Sequence, residues 1–488
     1  MSKERIYPKG DTPRTCVRDG FNRQGGVICK DCFDKKLEID RLRAEIISLK
    51  QKLNYREKSL KNGVFGGSTP SSRIPIKENA TEEKKLRKGG AKPGHKGHGR
   101  KRIDEQAADK IVQLEMPQSC SDCGFSLIMR DNKTRVILDV HSTKAKSILY
   151  KMKSGECPGC SKIHAKKPDA LPKSLYSNRL VAQAATMHYL HGFSLGKIVE
   201  VLGDKVNRSG LINAFHRLSN MCNNAQNQLI QDFRNAPVKH ADETGWRNDG
   251  DSGYAWLFCS SQTSLFQFQK SRSGQIVRSV FGDQILPGVL VVDRYGAYNK
   301  APCSIQYCFA HLLRDTTKLE DEFGDEQEVL QFVASFAPLL SEAMRLRNQQ
   351  ITDEEYYQRA ATIEKNIKRI VSIPAKHLGI IAIQNIFTKN ENRLYLWVKN
   401  REVPAENNFA ERELRPTVIA RKTSFGSQSE KGALTRGKLM SVLHSVKKRL
   451  KNKSPEDWLC ETLNTFIEKP PCEHQIALPE VNFSTHFH

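Results

Sequence analysis

The chain has 488 residues, of which 38% are hydrophobic and 27% charged. This composition excludes a disordered polypeptide, and the length predicts several domains. The 78 Lys and Arg residues exceed the 54 Asp and Glu residues and give a formal net charge of +24. This charge favours a polyanionic partner, because phosphates neutralised by Lys or Arg release their counterions. The alternative is that the charge serves only solubility.

The N-terminal third is predicted to hold small elements. Residues 1–35 are irregular and contain Cys16, Cys29 and Cys32, a weak candidate for a second metal site because a fourth ligand is not evident. Residues 36–61 carry apolar side chains at alternating steps of three and four, which predicts a short coiled coil or, alternatively, one amphipathic helix packed on its own domain. These side chains are Ile39, Leu42, Ile46, Leu49, Leu53 and Leu60.

Residues 62–110 are rich in Gly, Pro and basic residues, which predicts a flexible linker that contacts DNA phosphates, or else a solvated tether. Its candidate DNA-binding residues are Lys92, His95, Lys96, His98, Arg100, Lys101 and Arg102. The charged N-terminus lacks a signal peptide pattern and no stretch is apolar enough to span a bilayer, so we expect a cytoplasmic protein without a membrane partner.

Residues 111–167 contain two CxxC pairs, formed by Cys120 and Cys123 and by Cys157 and Cys160. Four thiolates on two tight turns can hold one structural Zn²⁺ in a closed tetrahedral site. Disulfides are disfavoured in a reducing compartment, so a zinc-binding module is the preferred interpretation.

Residues 175–232 predict a helical region with helices at Leu180–His191, from Ser194 through Val201, and at Ser209–Leu218. Short helices around a glycine-containing turn are typical of a helix-turn-helix that binds DNA. Helical hairpins without DNA contacts are at least as common, so both interpretations stay open.

Residues 236–311 predict the first part of a catalytic core. The acidic pair Asp242 and Glu243 is expected at the end of a short strand, followed by an antiparallel meander through Tyr254–Cys259 and Leu265–Gln269. After a helix near Gln275–Phe281, a continuous apolar strand ends in Asp293, where α/β folds commonly place site residues.

Residues 312–402 predict a helical insertion, and residues 403–450 the second part of the core. The latter supplies Glu411 on a helix whose length Pro416 is expected to limit. Carboxylates from two strands and a helix suit two Mg²⁺ or Mn²⁺ ions. Arg412, Arg415, Arg421 and Lys422 are candidate DNA contacts, and His311 is either a phosphate- or nucleophile-orienting group or a structural histidine.

Several motifs occur in an order that resembles the insertion-sequence-66 family of bacterial DDE transposases. They are KPGHKGH, CxxCG…CPGC, ADETGWR, the D-x-Y-x-A-Y segment from Asp293 to Tyr298, CFAHLLRD, NNFAERELRP and a C-terminal element within residues 451–488. The resemblance implies an RNase H-like core with Asp242, Asp293 and Glu411 as metal ligands. The family commonly has Asp at the position of Glu406, which makes Glu406 the substitute candidate for the third acid.

The expected architecture is therefore multidomain α+β, with an RNase H-like α/β catalytic core and a helical insertion, preceded by a coiled coil, a zinc-binding module and a helix-turn-helix-like helical region. The expected function is a transposase, associated with the nucleoid, that cleaves and transfers DNA strands. Its partners would be double-stranded transposon ends and target DNA, a second copy of the chain, and accessory proteins of the element. The alternatives are a zinc-containing DNA-binding protein with a degenerate triad, or a nuclease on the same core.

Overall fold

The computed structural model describes residues 34–47, 49, 144–150, 154–156, 163–165, 167–450 and 452–481. Helix α1 spans residues 34–47, and its Leu37, Ile39, Leu42 and Ile46 are about half exposed, at 47–56%. Packing of this helix against its own domain is thus not seen among the described residues, and the coiled coil stays a prediction. The predicted linker, together with Cys16, Cys29 and Cys32, lies outside these residues.

A two-stranded hairpin marks the end of the predicted zinc module. Strand β1 (Ser154–Glu156) pairs antiparallel with β2 (Ile163–Ala165), so the chain that joins them contains Cys157 and Cys160. A CxxC pair between two hairpin strands is where zinc knuckles occur. All four cysteines of the module lie outside the described residues, so zinc binding stays a prediction.

Four helices follow, of which the first three lie close to the bounds that the sequence predicts. They are α2 (Asn178–Ala185, extended by a π-helical turn at Thr186–Leu190), α3 (Leu195–Leu202), α4 (Arg208–Met221) and α5 (Asn223–Asn235). The side chains of Ser177, Ser194 and Asn207 cap α2, α3 and α4 by accepting from free backbone N–H groups. Gly203, with φ +90°, ends α3 in a conformation that favours glycine and so sets the turn into α4.

A five-stranded mixed sheet forms the centre, in the order β5-β4-β3-β6-β7. The strands are β3 (Val238–Asn248), β4 (Asp251–Cys259), β5 (Ser264–Gln269), β6 (Val289–Val292) and β7 (Ser304–Tyr307), with α6 (Gly274–Phe281) before β6. β3, β4 and β5 form the predicted antiparallel meander, while β6 and β7 run parallel to β3. The predicted helix near residue 275 and the apolar strand before Asp293 are confirmed.

The expected position of the acidic pair at a strand end was wrong. Asp242 and Glu243 lie in the middle of the 11-residue β3. β4 pairs with β3 as far as Asn248 opposite Asp251, whereas the pairing of β3 with β6 reaches only His240. The short sequence run could not show this, because the length of a strand depends on its partner.

Helices occupy the chain between β7 and residue 400, where the sequence predicts a helical insertion. They are α7 (Phe309–Phe323), α8 (Gln327–Leu346), α9 (Asp353–Val371), α10 (Leu378–Lys389) and α11 (Leu396–Lys399). By length and composition alone α8 could cross a membrane, but it packs against α7 and α9 and buries Phe336 and Leu340 completely. These contacts are those of a core helix.

The last helices are α12 (Asn408–Ser424), α13 (Glu430–Arg449) and α14 (Pro455–Asn464). The prediction that Pro416 limits the acid-bearing helix was wrong, because α12 continues for eight residues beyond it. Proline removes one N–H donor, a loss that tertiary packing of a long buried face can offset. The helical region, sheet, insertion and C-terminal helices share one hydrophobic core from Leu171 to Leu478.

Candidate active site

The two predicted aspartates lie on neighbouring parallel strands. His240 on β3 is opposite Val291 on β6, and continuing this register by two residues places Asp242 opposite Asp293. Adjacent strands are about 4.8 Å apart, and partners in register point to the same face of a sheet. Both aspartates are buried, at 3% and 4% exposure. The fold therefore brings the backbones of these two acids together.

Helix α12 is fixed to β3 at both of its ends. Before its first turn, Asn407 Nδ2 donates to the Ala241 carbonyl at 2.8 Å, and Asn407 Oδ1 lies 2.9 Å from His240 Nδ1. Near its last turn, Arg421 donates to Thr244 Oγ1 at 2.8 Å and to the Gly245 carbonyl at 2.7 Å. These bonds hold the helix along the segment of β3 that contains Asp242.

Glu411 belongs to the inward face of this helix. The buried residues of α12 recur at helical spacing and are Ala410, Glu411, Leu414, Thr417 and Ala420. Arg412 and Arg415 lie exposed on the opposite face. Glu406 precedes the helix, and its carboxylate accepts from the Asn408 N–H, as a helix-capping group does. Of the two candidates for the third acid, Glu411 is the one that faces β3.

Glu243 has partners of its own. Its Oε1 accepts from Arg272 Nε at 3.0 Å and its Oε2 accepts from the Tyr298 hydroxyl. Burial raises the pKa of Tyr298 well above its ordinary value, and the charges of Glu243, Asp293 and Asp242 raise it further. All three acids thus act on one buried hydroxyl, and Glu243 is the one that pairs with the partly buried Arg272.

Asp293 is the acid with the most perturbed protonation. Burial, and then the charge of Glu243, raises its pKa to about 8. Its Oδ1 accepts from the Tyr295 N–H at 2.9 Å, whereas its buried Oδ2 finds no hydrogen-bond partner in the described part of the chain. A buried carboxylate oxygen without a donor is costly unless a cation or proton satisfies it.

We expect Asp293→Asn to stabilise the metal-free protein by about 1–2 kcal/mol at pH 8, and by less at pH 5. Between its ordinary pKa near 4 and the raised value of about 8, the folded state retains a proton that the unfolded state has lost, so wild-type stability falls as the pH rises. Thermal unfolding at both pH values measures the difference. A gain that does not grow with pH would contradict the raised pKa.

Helix α7 brings a basic group to the third acid. Arg314 Nη2 donates to both oxygens of Glu411, at 3.0 and 3.4 Å, while the buried Arg314 Nη1 has no partner among the described residues. His311, one turn earlier, is buried and neither ring nitrogen has a hydrogen-bond partner within that same part of the chain. Burial and then the charges of Arg314 and Arg294 lower the His311 pKa to about 3, so the ring is neutral.

Sequence reasoning missed three residues of this neighbourhood, namely Arg272, Arg294 and Asp315. Arg294 pairs with Asp315 on α7, and burial raises the pKa of Asp315 to about 6. One signal was available, because His311 and Asp315 are spaced by four residues, so that both lie on one face of a helix. Arg272 and Arg294, which lie on other elements, gave no such signal in the sequence.

The predicted DNA contacts on α12 separate into two groups. Arg412, Arg415 and Lys422 are exposed. Arg421 is half-buried and binds β3, so a structural role accounts for it. The seven linker residues from Lys92 to Arg102 lie outside the described part of the chain.

The carboxylate oxygens of Asp242 and Asp293 are the kind of ligand that a divalent cation prefers. Asp293 Oδ2, which has no hydrogen-bond partner among the described residues, supplies one such ligand atom. Glu411 does not complete the set in this conformation, because Arg314 holds it. Accordingly, the described residues contain no group of three acidic, His or Cys side chains arranged to hold a metal ion.

The fold defines a mixed α/β protein built on a five-stranded sheet. The family model described as Transposase IS66 family matches residues 173–435, more than half of the chain, and the chain belongs to this family. It is also similar to the uncharacterized protein y4qI of Sinorhizobium fredii, with 23% identity over 414 residues that cover 77% of this chain and 75% of that protein. Residues 173–435, which match the family model, include the helical region, the sheet and α12.

Proposed function

We propose that the chain is a DDE transposase that binds transposon ends and uses divalent metal ions to cleave DNA and transfer the cut strand. The observation that carries the proposal is the register that sets Asp242 opposite Asp293 beside the inward face of the helix bearing Glu411. Membership of the family supplies the DNA substrate.

The catalytic core is proposed to be RNase H-like. Counting only the strands of the central sheet in chain order, their spatial order is 3-2-1-4-5, with an antiparallel meander followed by two parallel strands. This order supports the proposal because it places the first and fourth strands side by side, and these two strands carry the aspartates. Helices α7–α11 would then be the insertion that separates the second aspartate from the third acid.

Asp242, Asp293 and Glu411 would hold two Mg²⁺ or Mn²⁺ ions, which activate the attacking oxygen and stabilise the leaving oxygen of the phosphodiester. For this role Glu411 must exchange its bond to Arg314 for the cation. Arg314 is then available to a phosphate oxygen, and its guanidinium can bind two such oxygens at once. His311 has two buried nitrogens that a phosphate or hydroxyl can satisfy, so we assign it to substrate orientation.

DNA binding away from the site is proposed for the exposed Arg412, Arg415 and Lys422, for the basic linker, and for the helix-turn-helix-like pair α3 and α4. The first residues of α4 support this role, because Arg208, Ser209, Ile212 and Asn213 are half-buried or exposed around its N-terminal turns. A structural Zn²⁺ held by Cys120, Cys123, Cys157 and Cys160 belongs to the same proposal. So do assembly of two or more copies on DNA, accessory proteins and a location at the bacterial nucleoid.

The test is an assay with labelled DNA that carries the end of the element, together with an unlabelled target plasmid. We expect nicking at the end and joining to the target in Mg²⁺ or Mn²⁺, and neither product after the metal is chelated by EDTA. Nicks without joined products would support a nuclease. Tight DNA binding without either product would support the DNA-binding protein with a degenerate triad, which the Arg314–Glu411 ion pair favours as the second candidate.

A further inference from the structure

Phe425, the residue that ends helix α12, has an unusual position. Its side chain is 78% exposed, and its backbone is left-handed, with φ +60°. The Phe425 N–H donates to the Arg421 carbonyl at 2.9 Å, which makes Phe425 the left-handed terminating residue of the helix. Such positions usually hold glycine or asparagine, and a left-handed conformation costs a bulky L-residue about 1–2 kcal/mol.

A glycine stands directly after it, yet that glycine is needed where it is. Gly426 has φ +135°, and a Cβ added there would lie 2.2 Å from the Arg247 carbonyl oxygen. The loop therefore accepts only glycine at 426 and retains a strained aromatic residue at 425. Strained residues cluster where a ligand is bound, and the strain of Phe425 contributes nothing to the core, since its ring is exposed.

The support beneath the ring is rigid. The Ser427 N–H donates to the Arg247 carbonyl at 2.9 Å, and the Asp249 N–H donates to the Ser427 carbonyl at 2.8 Å. Trp246 Nε1 also donates to Ser427 Oγ, at 3.1 Å. Three hydrogen bonds thus attach the loop to the β3–β4 hairpin, so the aromatic ring is displayed with little loop entropy left to lose on binding.

Charge and distance relate this ring to DNA. Lys422 lies exposed in the last turn of α12, whereas Asp249 lies in the turn between β3 and β4 and Asp251 begins β4. Phosphates are attracted to Lys422 and repelled by these aspartates, so the uncharged ring between them suits the face of a base better than the backbone. Arg247, beneath the loop, is five residues from Asp242 along β3, a separation of about 17 Å, or roughly five base steps of one DNA strand.

We propose that Phe425 stacks on an unpaired or extruded base of the bound DNA, about five base steps from the phosphate that is cut. The inference rests on the proposed function for the position of the DNA. Stacking on an aromatic side chain is worth about 1–3 kcal/mol per base and is tolerant of sequence, because every base has a π-face. The ligand class is therefore an unstacked nucleobase of any sequence next to a duplex.

The experiment uses the full chain and two labelled duplexes of one sequence, one fully paired and one with a single unpaired adenine. We expect fluorescence anisotropy to show about 5- to 100-fold tighter binding of the duplex with the unpaired base. Phe425→Asn should abolish this preference and melt at the wild-type temperature or above, because Asn tolerates the left-handed conformation. Phe425→Trp should retain the preference.

The matched control is Ile285→Asn, since Ile285 is a 91% exposed apolar residue in the loop before β6, at the opposite end of the parallel strands. This variant should keep the preference. The inference is overturned if wild-type protein does not prefer the unpaired base, or if Phe425→Asn keeps the preference. A protein that cleaves and joins DNA without the preference refutes this inference alone, whereas one that has the preference and never cleaves in any metal refutes the proposed function.

Discussion

Replacing Asp293 by Asn is expected to lower the rate of metal-dependent strand cleavage by on the order of 10³-fold or more, with DNA binding unchanged. The register of β3 and β6, continued by two residues, sets Asp293 opposite Asp242, and the buried Asp293 Oδ2 has no hydrogen-bond partner among the described residues, so Asp293 is the group most available to a cation. Asn retains the shape of the side chain but removes the negative charge. Single-turnover cleavage and gel-shift binding with the same labelled end measure the two properties separately.

Glu243→Gln is the control for this prediction, because Glu243 is an equally buried acid on the neighbouring strand β3. Its carboxylate already pairs with Arg272 and accepts from Tyr298. We expect it to lower the melting temperature, since a buried Arg272 would lose its counterion, but to reduce cleavage per folded molecule by less than about 10-fold. Equal losses in Asp293→Asn and Glu243→Gln, with both proteins folded, would mean that the charge of the whole cluster matters and not the ligand role of Asp293.

Apolar runs were enough to predict the strands around the site. The continuous apolar runs before Asp293 and through Tyr254–Cys259 both became strands, because their side chains are covered on the faces of the sheet. The extent of β3 was not predictable, since it depends on β4 pairing as far as Asn248. Local pattern thus predicts that an element exists, while its limits depend on contacts with other elements.

The surroundings of the acids were even less accessible from sequence. Arg314 and Glu411 are 97 positions apart, and Asn407 contacts β3 across 166 positions. Neither spacing has a periodicity that a sequence can reveal. Resemblance to a family indicated which acids to examine, but only the fold shows that a basic side chain holds one of them.

The identity of the third acid leads to the second large effect, a loss of cleavage on the order of 10³-fold in Glu411→Gln and of less than about 10-fold in Glu406→Gln. Glu411 lies on the buried face of α12, the helix whose two ends are bonded to β3, and we propose that it turns from Arg314 to a cation shared with Asp242. The Glu406 carboxylate accepts from the Asn408 N–H at the start of the same helix. Gln at position 406 keeps an oxygen acceptor for that N–H, so the substitution leaves the helix start and the site in place.

The two variants should therefore differ in cleavage and in metal binding. Glu411→Gln removes the counterion of Arg314, so its melting temperature should fall while cleavage is lost. Glu406→Gln keeps a side-chain oxygen that can accept the Asn408 N–H, so it should melt close to the wild type and still cleave DNA. Titration with Mn²⁺ gives a measurement independent of turnover, because a ligand substitution weakens metal binding and a cap substitution does not. Loss of both Mn²⁺ binding and cleavage in Glu406→Gln would instead make Glu406 the third metal ligand. In that case the N-terminus of α12 would have to turn towards β3 when the metal binds, and Arg314 would remain bound to Glu411.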